Sequence, residues 1–430
     1  MTDRRPGPPP GVYPVYPFQR VLALVELVAP GCTTLASFAP VGEDLDQGRA
    51  HAAAVALLDR HAALGYGFAR RGGEVWQRER PSSDVVDRLE VRTGADLSRP
   101  DWIDETPLSL TRGPLLRVHC GDGVVALTTS HIVSDRWSLW LLARDFLALY
   151  DGLGSSASPP PPRRTFGELV DEDVARLAQG GYDDIFAYWR CELRGFRGIP
   201  AVSVGRHAQK GGYESFELTL TAADVATIAR SVRRLGCTEF AVTCRMVASA
   251  IAQVQGTDDI VLLAMTANRP RRSSWDVIGC FTNATPLRFR LGDGEGVAER
   301  NVATALTNGA PPYEWIAERL PPTEQDVFVP NGPSLAIYVR SDGSPDDTTV
   351  PAGAHAERDV RRGATANTWG LDLDVMVDIN VQSAKVLRLT FRPDRVLPAT
   401  AEAILRAVAG ELSAAERATP TPTPEETVRA

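Results

Sequence analysis

The 430-residue chain has very little lysine: only Lys210 and Lys385 occur among its 46 basic residues, and 54 acidic residues leave a formal charge of −8. Such a chain has no basic excess with which to displace counterions, which argues against a nucleic-acid partner and an anionic membrane surface. No apolar run reaches the length of a membrane span, and prolines stand where a signal peptide would have its apolar segment. We therefore expect a soluble, cytoplasmic protein.

The sequence also lacks paired cysteines. Its six cysteines are scattered without a C-x-x-C pair: Cys32, Cys120, Cys191, Cys237, Cys244 and Cys280. This spacing excludes the usual patterns of a zinc site and of a disulfide framework. A G-x-S-x-G elbow, a P-loop and a dinucleotide fingerprint are absent as well. We expect reduced thiols and no metal.

The length of the chain predicts two lobes, because it exceeds what one core usually serves. Residues 1–10 are rich in proline and glycine, and residues 418–430 in threonine and proline, so both ends are predicted to be disordered. Four consecutive prolines at 159–162 favour a stiff connector. The predicted lobes are therefore residues 11–165 and 166–417.

Helix and strand patterns alternate in both predicted lobes. Apolar periodicity predicts helices at 47–64, 137–150, 183–193, 222–235, 239–255 and 399–412, and strands at 115–118, 124–129, 260–265, 371–377 and 386–391. The mixture favours a two-lobed α/β or α+β protein.

One histidine stands where a predicted strand gives way to a predicted helix, in residues 128–138 (TTSHIVSDRWS). A strand can hold His131 rigidly while its near-neutral imidazole accepts a proton. Asp135 is available to cap the helix or to pair with a distant arginine. The spacing alone is a weak signal, since a lone histidine beside an apolar strand is usually a core residue. The remaining histidines are less promising: His61 lies in or at the end of a predicted helix, and His119 is expected just after a strand, beside Cys120. His51, His207 and His355 have no carboxylate or cysteine arranged for metal binding or nucleophilic catalysis.

The wider sequence resembles the condensation domains of nonribosomal peptide synthetases. The similar segments occur in the family's order: residues 16–20 (YPFQR), 60–68 (RHAALGYGF), 112–117 (RGPLLR), 130–138 (SHIVSDRWS), 278–288 (IGCFTNATPLR) and 308–314 (NGAPPYE), with a faint match around 330–335. The resemblance covers nearly the whole chain.

The resemblance implies two chloramphenicol-acetyltransferase-like lobes in a V-shaped pseudo-dimer around a substrate tunnel. Substrates would arrive on the phosphopantetheine arm of an acyl or peptidyl carrier protein, with an amine or alcohol as the acceptor and no dissociable cofactor. His131 matches the family's catalytic histidine, and Asp135 matches the aspartate that pairs with an arginine. Arg288 is our candidate for that arginine, and Asn283 matches an asparagine near the tunnel floor.

Two residues depart from the family's His-His-x-x-x-Asp-Gly motif. Ser130 replaces the first histidine, whose role in the family is mainly structural. Arg136 replaces the glycine, which usually marks a special backbone angle or a close approach. The guanidinium could narrow the passage for the arm, disturb the partner of Asp135 or bind an anionic substrate group. It could also simply point to solvent.

Two functions from different classes follow from the resemblance. The first is a free-standing acyltransferase that forms an amide or an ester, with His131 as a general base or as the group that orients the nucleophile. The second is a catalytically inactive relative that recruits a tailoring enzyme or a carrier protein. An epimerisation domain is less well matched, because residues 267–270 (ANRP) lack the expected glutamate. A plant-type acyltransferase is also disfavoured, since residues 367–370 (NTWG) are a poor match to its motif.

Overall fold

The chain forms two compact units. The computed structural model describes residues 9–94, 96–97, 107–152, 160–199, 212–293, 296–321, 334–341, 360–362, 374–379 and 385–417. The first unit consists of Met1–Asp184, Ala267–Asn283 and Ala310–Trp315, and the second of Ile185–Thr266, Ala284–Gly309 and Ile316–Ala430. The lobe boundary at residue 165 stays a prediction. The faint motif at 330–333, the strand at 371–373 and most of the two predicted disordered ends lie outside the described residues.

The first unit combines two sheets with helices. Its helices are α1 (Pro17–Val28), α2 (Gln47–Arg60), α3 (Arg136–Asp151) and α4 (Phe166–Ala178). Its strands are β1 (Val12–Pro14), β2 (Thr34–Pro40), β3 (Gly67–Arg71), β4 (Glu74–Arg78), β5 (Glu90–Thr93), β6 (Leu116–Gly121) and β7 (Val124–Ser130). The sheet orders are β2-β7-β6-β5 and β1-β4-β3.

The second unit is built on one larger sheet. Its helices are α5 (Asp183–Glu192), α6 (Ala222–Leu235), α7 (Glu239–Gln255), α8 (Val297–Thr307), α9 (Tyr313–Ala317) and α10 (Pro398–Arg417), of which α5 and α9 begin in the first unit. Its strands are β8 (Glu214–Thr219), β9 (Asp259–Thr266), β10 (Asn283–Arg290), β11 (Ile337–Ser341), β12 (Val360–Arg362), β13 (Val375–Ile379) and β14 (Val386–Phe391). They follow the order β10-β9-β11-β13-β14-β8-β12.

Side-chain caps explain where several helices begin. The carboxylate of Asp46 accepts a hydrogen bond from Arg49 N at the start of α2, and that of Asp135 accepts one from Ser138 N at the start of α3. Thr221 and Asp224 form a capping box before α6, which ends at a left-handed glycine. The mixed α/β class predicted from the sequence is confirmed by these elements.

The sheet of the first unit places the predicted catalytic histidine at the end of a buried strand. Residues Val125–Ser130 of β7 are buried, as expected for a strand covered on both faces. Helices α2 and α3 pack against each other, α3 also contacts β2, and α2 contacts β6. The antiparallel register pairs Thr34 of β2 with Ser130 of β7. The next residue after this pair is His131.

No single described helix has both the length and the apolar character needed to cross a membrane. Helices α6 and α7, which are bent by 109° relative to each other, meet the length and composition criteria only when they are taken together.

Candidate functional site

A tight turn carries His131 out of the sheet. Strand β7 ends at Ser130, and a 3₁₀ turn over His131–Val133 follows before α3 begins. The Ser130 hydroxyl accepts a hydrogen bond from Ile132 N at 3.4 Å. The backbone N of His131 donates to the Thr33 carbonyl at 2.8 Å. The backbone of the histidine is therefore fixed before its side chain makes any contact.

The imidazole of His131 has a defined tautomer. Its Nδ1 lies 2.7 Å from the Ser134 carbonyl, which can only accept, so Nδ1 carries the proton. The neutral ring then keeps a lone pair on Nε2. Burial lowers the pKa of His131, although the Ser134 carbonyl and Asp135 oppose the shift. The Phe18 ring packs edge-on against the imidazole with 5.6 Å between centroids. This geometry suits a neutral general base.

Asp135 is a buried carboxylate with three donors, two backbone N–H groups and one guanidinium. Its Oδ1 accepts from Ser138 N at 2.8 Å, and its Oδ2 accepts from Phe281 N at 3.0 Å. Arg269 Nη2 lies 3.1 Å from Oδ1 and 3.3 Å from Oδ2. The aspartate thus joins the start of α3 to segment 267–283, and it closes the loop that follows His131.

The predicted pairing of Asp135 with Arg288 is wrong, because Arg269 occupies that place. Arg288 lies on β10, and its Nε donates to Asp259 Oδ1 at 2.8 Å within the second unit. Its Nη1 also donates to the carbonyls of Glu192 and Arg194. These acceptors hold its guanidinium within the second unit. Arg288 is a structural residue there.

Arg269 is the buried partner of Asp135, and the sequence did not identify it. It is 9% exposed, and its Nη1 donates to the carbonyls of Ser274 and Val277. Its guanidinium carbon lies 4.3 Å from the centroid of the Phe281 ring. Burial lowers the pKa of Arg269, while the neighbouring Asp135 raises it. The available signal was an arginine three residues after the end of the largely buried strand β9.

The two residues that depart from the family motif differ in burial. Ser130 is buried, and its hydroxyl lies 3.5 Å from Thr33 Oγ1. Arg136 is exposed at the first position of α3. Asp135 keeps Arg269 as a partner, so the predicted disturbance of that pair by Arg136 does not occur. The predictions that Arg136 narrows a passage or binds an anion stay predictions.

Asn283 ties two segments of the first unit together. Its Nδ2 donates to the Pro311 carbonyl at 2.9 Å, and its Oδ1 accepts from Tyr313 N at 2.8 Å. These contacts join the predicted motif at 278–288 to the one at 308–314. Asn283 therefore shapes the backbone of this unit, and its place near a tunnel floor stays a prediction.

Further buried groups complete the surroundings of His131. Cys280 Sγ lies 3.9 Å from His131 Nδ1, and burial raises the pKa of this thiol well above its ordinary value, which keeps it protonated. Ser138 Oγ accepts from Gly279 N at 3.0 Å. A Cβ at Gly279 would lie 2.3 Å from a ring carbon of Phe166, so only glycine fits here. The described residues contain no group of three or more His, Cys, Asp or Glu side chains that could hold a metal.

Comparison with known proteins identifies similar chains. The family model described as Condensation domain matches residues 10–329. Phosphinothricin tripeptide synthetase PhsC of Streptomyces viridochromogenes is 27% identical over 339 residues, which cover 70% of this chain and 30% of the synthetase. The chain thus spans less than a third of that relative.

Solved structures show the same fold at low identity. The SgcC5 protein of Streptomyces globisporus, in complex with (R)-(-)-1-(2-naphthyl)-1,2-ethanediol and sucrose, gives a TM-score of 0.69 at 19% identity, covering 95% of this chain and 100% of that one. The X-domain of teicoplanin biosynthesis in complex with OxyB gives 0.68 at 20% identity, covering 96% and 95%. These neighbours confirm the predicted chloramphenicol-acetyltransferase-like fold.

Proposed function

Because this chain belongs to the condensation-domain family, we propose that it is an acyltransferase of natural-product biosynthesis that joins a carrier-bound acyl or aminoacyl thioester to an amine or alcohol. One observation carries the proposal: Nδ1–H of His131 is committed to the Ser134 carbonyl, which leaves Nε2 of a neutral imidazole as a proton acceptor. A base in this state accepts a proton at neutral pH.

The proposed step is acyl transfer with His131 as the general base. The attacking N–H or O–H gives its proton to Nε2 as the nucleophile forms a bond to the thioester carbonyl carbon. The C–S bond then breaks, and the departing sulfur takes the proton back from Nε2. An amide or ester and a free thiol result, and the imidazole returns to its starting state. No external oxidant or reductant is needed.

Asp135 serves as a positioning residue in this proposal. Both oxygens of its carboxylate accept hydrogen bonds, from Ser138, Phe281 and Arg269. Asp135 therefore holds the loop after His131 and does not need to accept the substrate proton. A rigid loop keeps Nε2 aligned with the nucleophile. Such alignment lowers the barrier because the orienting entropy is lost before the reaction.

A second candidate is a non-catalytic domain that recruits another protein. It is favoured by Arg136 in place of the family's glycine, and by the fold shared with the X-domain that forms a complex with OxyB. The retention of both His131 and Asp135 in a well-ordered arrangement favours catalysis.

The deciding experiment is complementation of a strain that lacks this gene. Wild type, His131→Ala and His51→Ala are expressed at equal soluble levels, and the natural product and its precursors are measured by mass spectrometry. His51 is an exposed histidine on α2 and serves as the matched control. We expect wild type and His51→Ala to restore product, and His131→Ala to accumulate the unjoined precursor. Full restoration by His131→Ala would refute catalysis and support recruitment.

A further inference from the structure

Tryptophan and arginine side chains form a surface at the start of α3, here termed the Trp–Arg surface. Its members are Trp137, Trp140, Arg144, Arg272 and Trp275. Trp275 is 45% exposed, which is unusual for the largest apolar side chain. The Arg272 guanidinium carbon lies 5.8 Å from the centroid of this indole. A single exposed aromatic is ordinary, but one that lies in a contiguous aromatic patch marks an interaction site.

The sequence of α3 places three of these side chains on one helical face. Trp137, Trp140 and Arg144 are separated by three and four residues, the spacing of neighbours on a helix surface. The two indole rings meet edge to face at 5.9 Å, and the Arg144 guanidinium carbon lies 5.0 Å from the Trp140 centroid. The surface is therefore an ordered cluster.

The loop that contains Trp275 is fixed to this helical face. Trp137 Nε1 donates to the Trp275 carbonyl at 2.9 Å, and Arg144 Nη2 lies 3.4 Å from Asp276 Oδ1. The indole of Trp275 donates to the Arg269 carbonyl at 3.0 Å. These bonds present the Trp275 side chain on a rigid support.

The surface begins directly beside the turn that carries His131. Helix α3 starts at Arg136, five residues after the histidine. The helical rise of 1.5 Å per residue places Arg144 about 12 Å along the axis from that start. A partner docked on this face would sit beside the loop that positions the imidazole.

Charge and composition indicate the chemistry of the partner. Arg136, Arg144 and Arg272 lie in or beside the surface, although the whole chain carries a charge of −8. Arg144 is paired with Asp145 at 2.7 Å and with Asp276 at 3.4 Å. Tryptophan and arginine are the side chains most enriched where truncation weakens protein complexes. A basic rim around indoles fits a protein face that presents carboxylates around an apolar centre.

We propose that the Trp–Arg surface docks the acidic face of the carrier protein that delivers a thioester to His131; the identity of the partner rests on the proposed function. The carrier's carboxylates contact the arginines, and its apolar centre contacts Trp275. Residues Val21, Leu24, Leu27 and Val28 of α1 are also exposed, but they are uncharged and offer no such complementarity.

Binding of a carrier protein tests the inference. The probe is a purified, phosphopantetheinylated carrier protein of the producing strain, titrated against the full chain. We expect Arg272→Glu and Trp275→Ala each to weaken the Kd about tenfold or more, and added salt to weaken wild type. Arg70→Glu, at an exposed arginine on β3, and Leu306→Ala, at an exposed leucine of the second unit, are the controls and should bind as wild type does. Thermal unfolding checks that each variant is folded.

Turnover separates this inference from the proposed function. With a carrier-bound donor, Arg272→Glu should raise KM about tenfold with little change in kcat; with the N-acetylcysteamine thioester of the same acyl group, it should match wild type. Wild-type affinity in both surface variants, or loss of binding only in the α1 variant Leu27→Asp, would overturn the docking inference. Carrier binding that depends on Arg272, without turnover of either donor by wild type, would refute the acyltransferase and leave the docking surface standing. Preference for a purified tailoring oxidase over the carrier would also overturn the inference.

Discussion

At the scale of a single residue, the burial of His131 determines the pH range in which it can act. Burial lowers the pKa of His131 from its ordinary value of 6.5, and only the neutral ring can accept a proton. We therefore expect kcat/KM with a small thioester donor to fall on acidification with a midpoint below pH 6.5, and to be constant from pH 7 to 8. Rates measured between pH 4.5 and 8 check this. A midpoint above 6.5 would contradict a buried, neutral base.

The buried pair of Asp135 and Arg269 gives a prediction about stability. Removing one partner of a buried ion pair leaves the other charge uncompensated, which costs about 3–5 kcal/mol. We expect Asp135→Ala to lower the free energy of unfolding by about 3 kcal/mol or more in urea titrations. Asp276→Ala is the control, because it removes only a more exposed contact with Arg144 and should change stability by about 0.5 kcal/mol or less. Equal effects of the two substitutions would disprove the structural role of the buried pair.

The same pair shows where sequence reasoning reaches its limit. The motif identified His131 and Asp135, because a local pattern places them close together in one short loop. It did not identify Arg269, which lies 134 residues from Asp135 in sequence and is one of many arginines in this chain. Arg288 was the wrong choice because nothing local revealed its bond to Asp259. Non-local partners depend on packing that one sequence does not encode in any short pattern.

At the scale of an element, α1 holds the turn at His131 in place through hydrogen bonds from two positions along the helix. Near its start, Gln19 Nε2 donates to the Ile132 carbonyl at 2.8 Å. Near its end, the buried Glu26 carboxylate accepts from the backbone N of Gly31 at 2.8 Å and of Thr33 at 2.9 Å. The Thr33 carbonyl in turn accepts from His131 N. The inner face of α1 therefore sets the placement of the histidine.

We expect Glu26→Gln to lower kcat roughly tenfold with little change in KM. An amide presents one acceptor oxygen and one NH₂ group to donors that need two acceptors, so Thr33 shifts and takes His131 with it. Steady-state kinetics with a small thioester donor measure the two constants. Arg20→Gln on the same helix breaks only an exposed contact with Glu74 and should keep both constants within twofold. An effect of Glu26→Gln on KM alone would argue against a positioning role.

Helix bounds were the most predictable feature of the fold, because caps are local. The predicted helix at 222–235 coincides with α6, where Thr221 begins the helix and Gly236 ends it. The predicted helix at 47–64 ends early, since His61 leaves the α conformation and a 3₁₀ turn follows. His119 was expected just after a strand and lies within β6. The order and the register of the strands could not be predicted from the sequence, because strand pairing joins segments that are distant in sequence.

At the scale of the whole molecule, the buried histidines among the described residues all lie in the first unit. They are His61, His119 and His131. Burial lowers the pKa of each, that of His119 to about 4, with Arg117 and Arg92 adding to the effect at His119. A histidine with a lower pKa in the folded than in the unfolded state binds fewer protons when folded. Its contribution to stability is therefore complete above pH 6.5 and decreases as the pH falls toward the folded pKa.

We accordingly expect acid to destabilise the first unit before the second. His119, whose pKa is lowered to about 4, costs roughly 2 kcal/mol as the pH falls from 6.5 to 5, given 1.36 kcal/mol per pKa unit, and His61 and His131 act in the same direction. Urea titrations at pH 7.5 and 5 check this, with unfolding followed by hydrogen exchange. Peptides from β6, β7 and α3 report on the first unit, and peptides from α6 and α7 report on the second. At pH 5, the peptides of β6, β7 and α3 should lose protection from exchange at a lower urea concentration than the peptides of α6 and α7. This difference in urea concentration between the two units should be smaller at pH 7.5. Equal sensitivity of both units to acid would show that the three histidines are not neutral and buried in the folded protein.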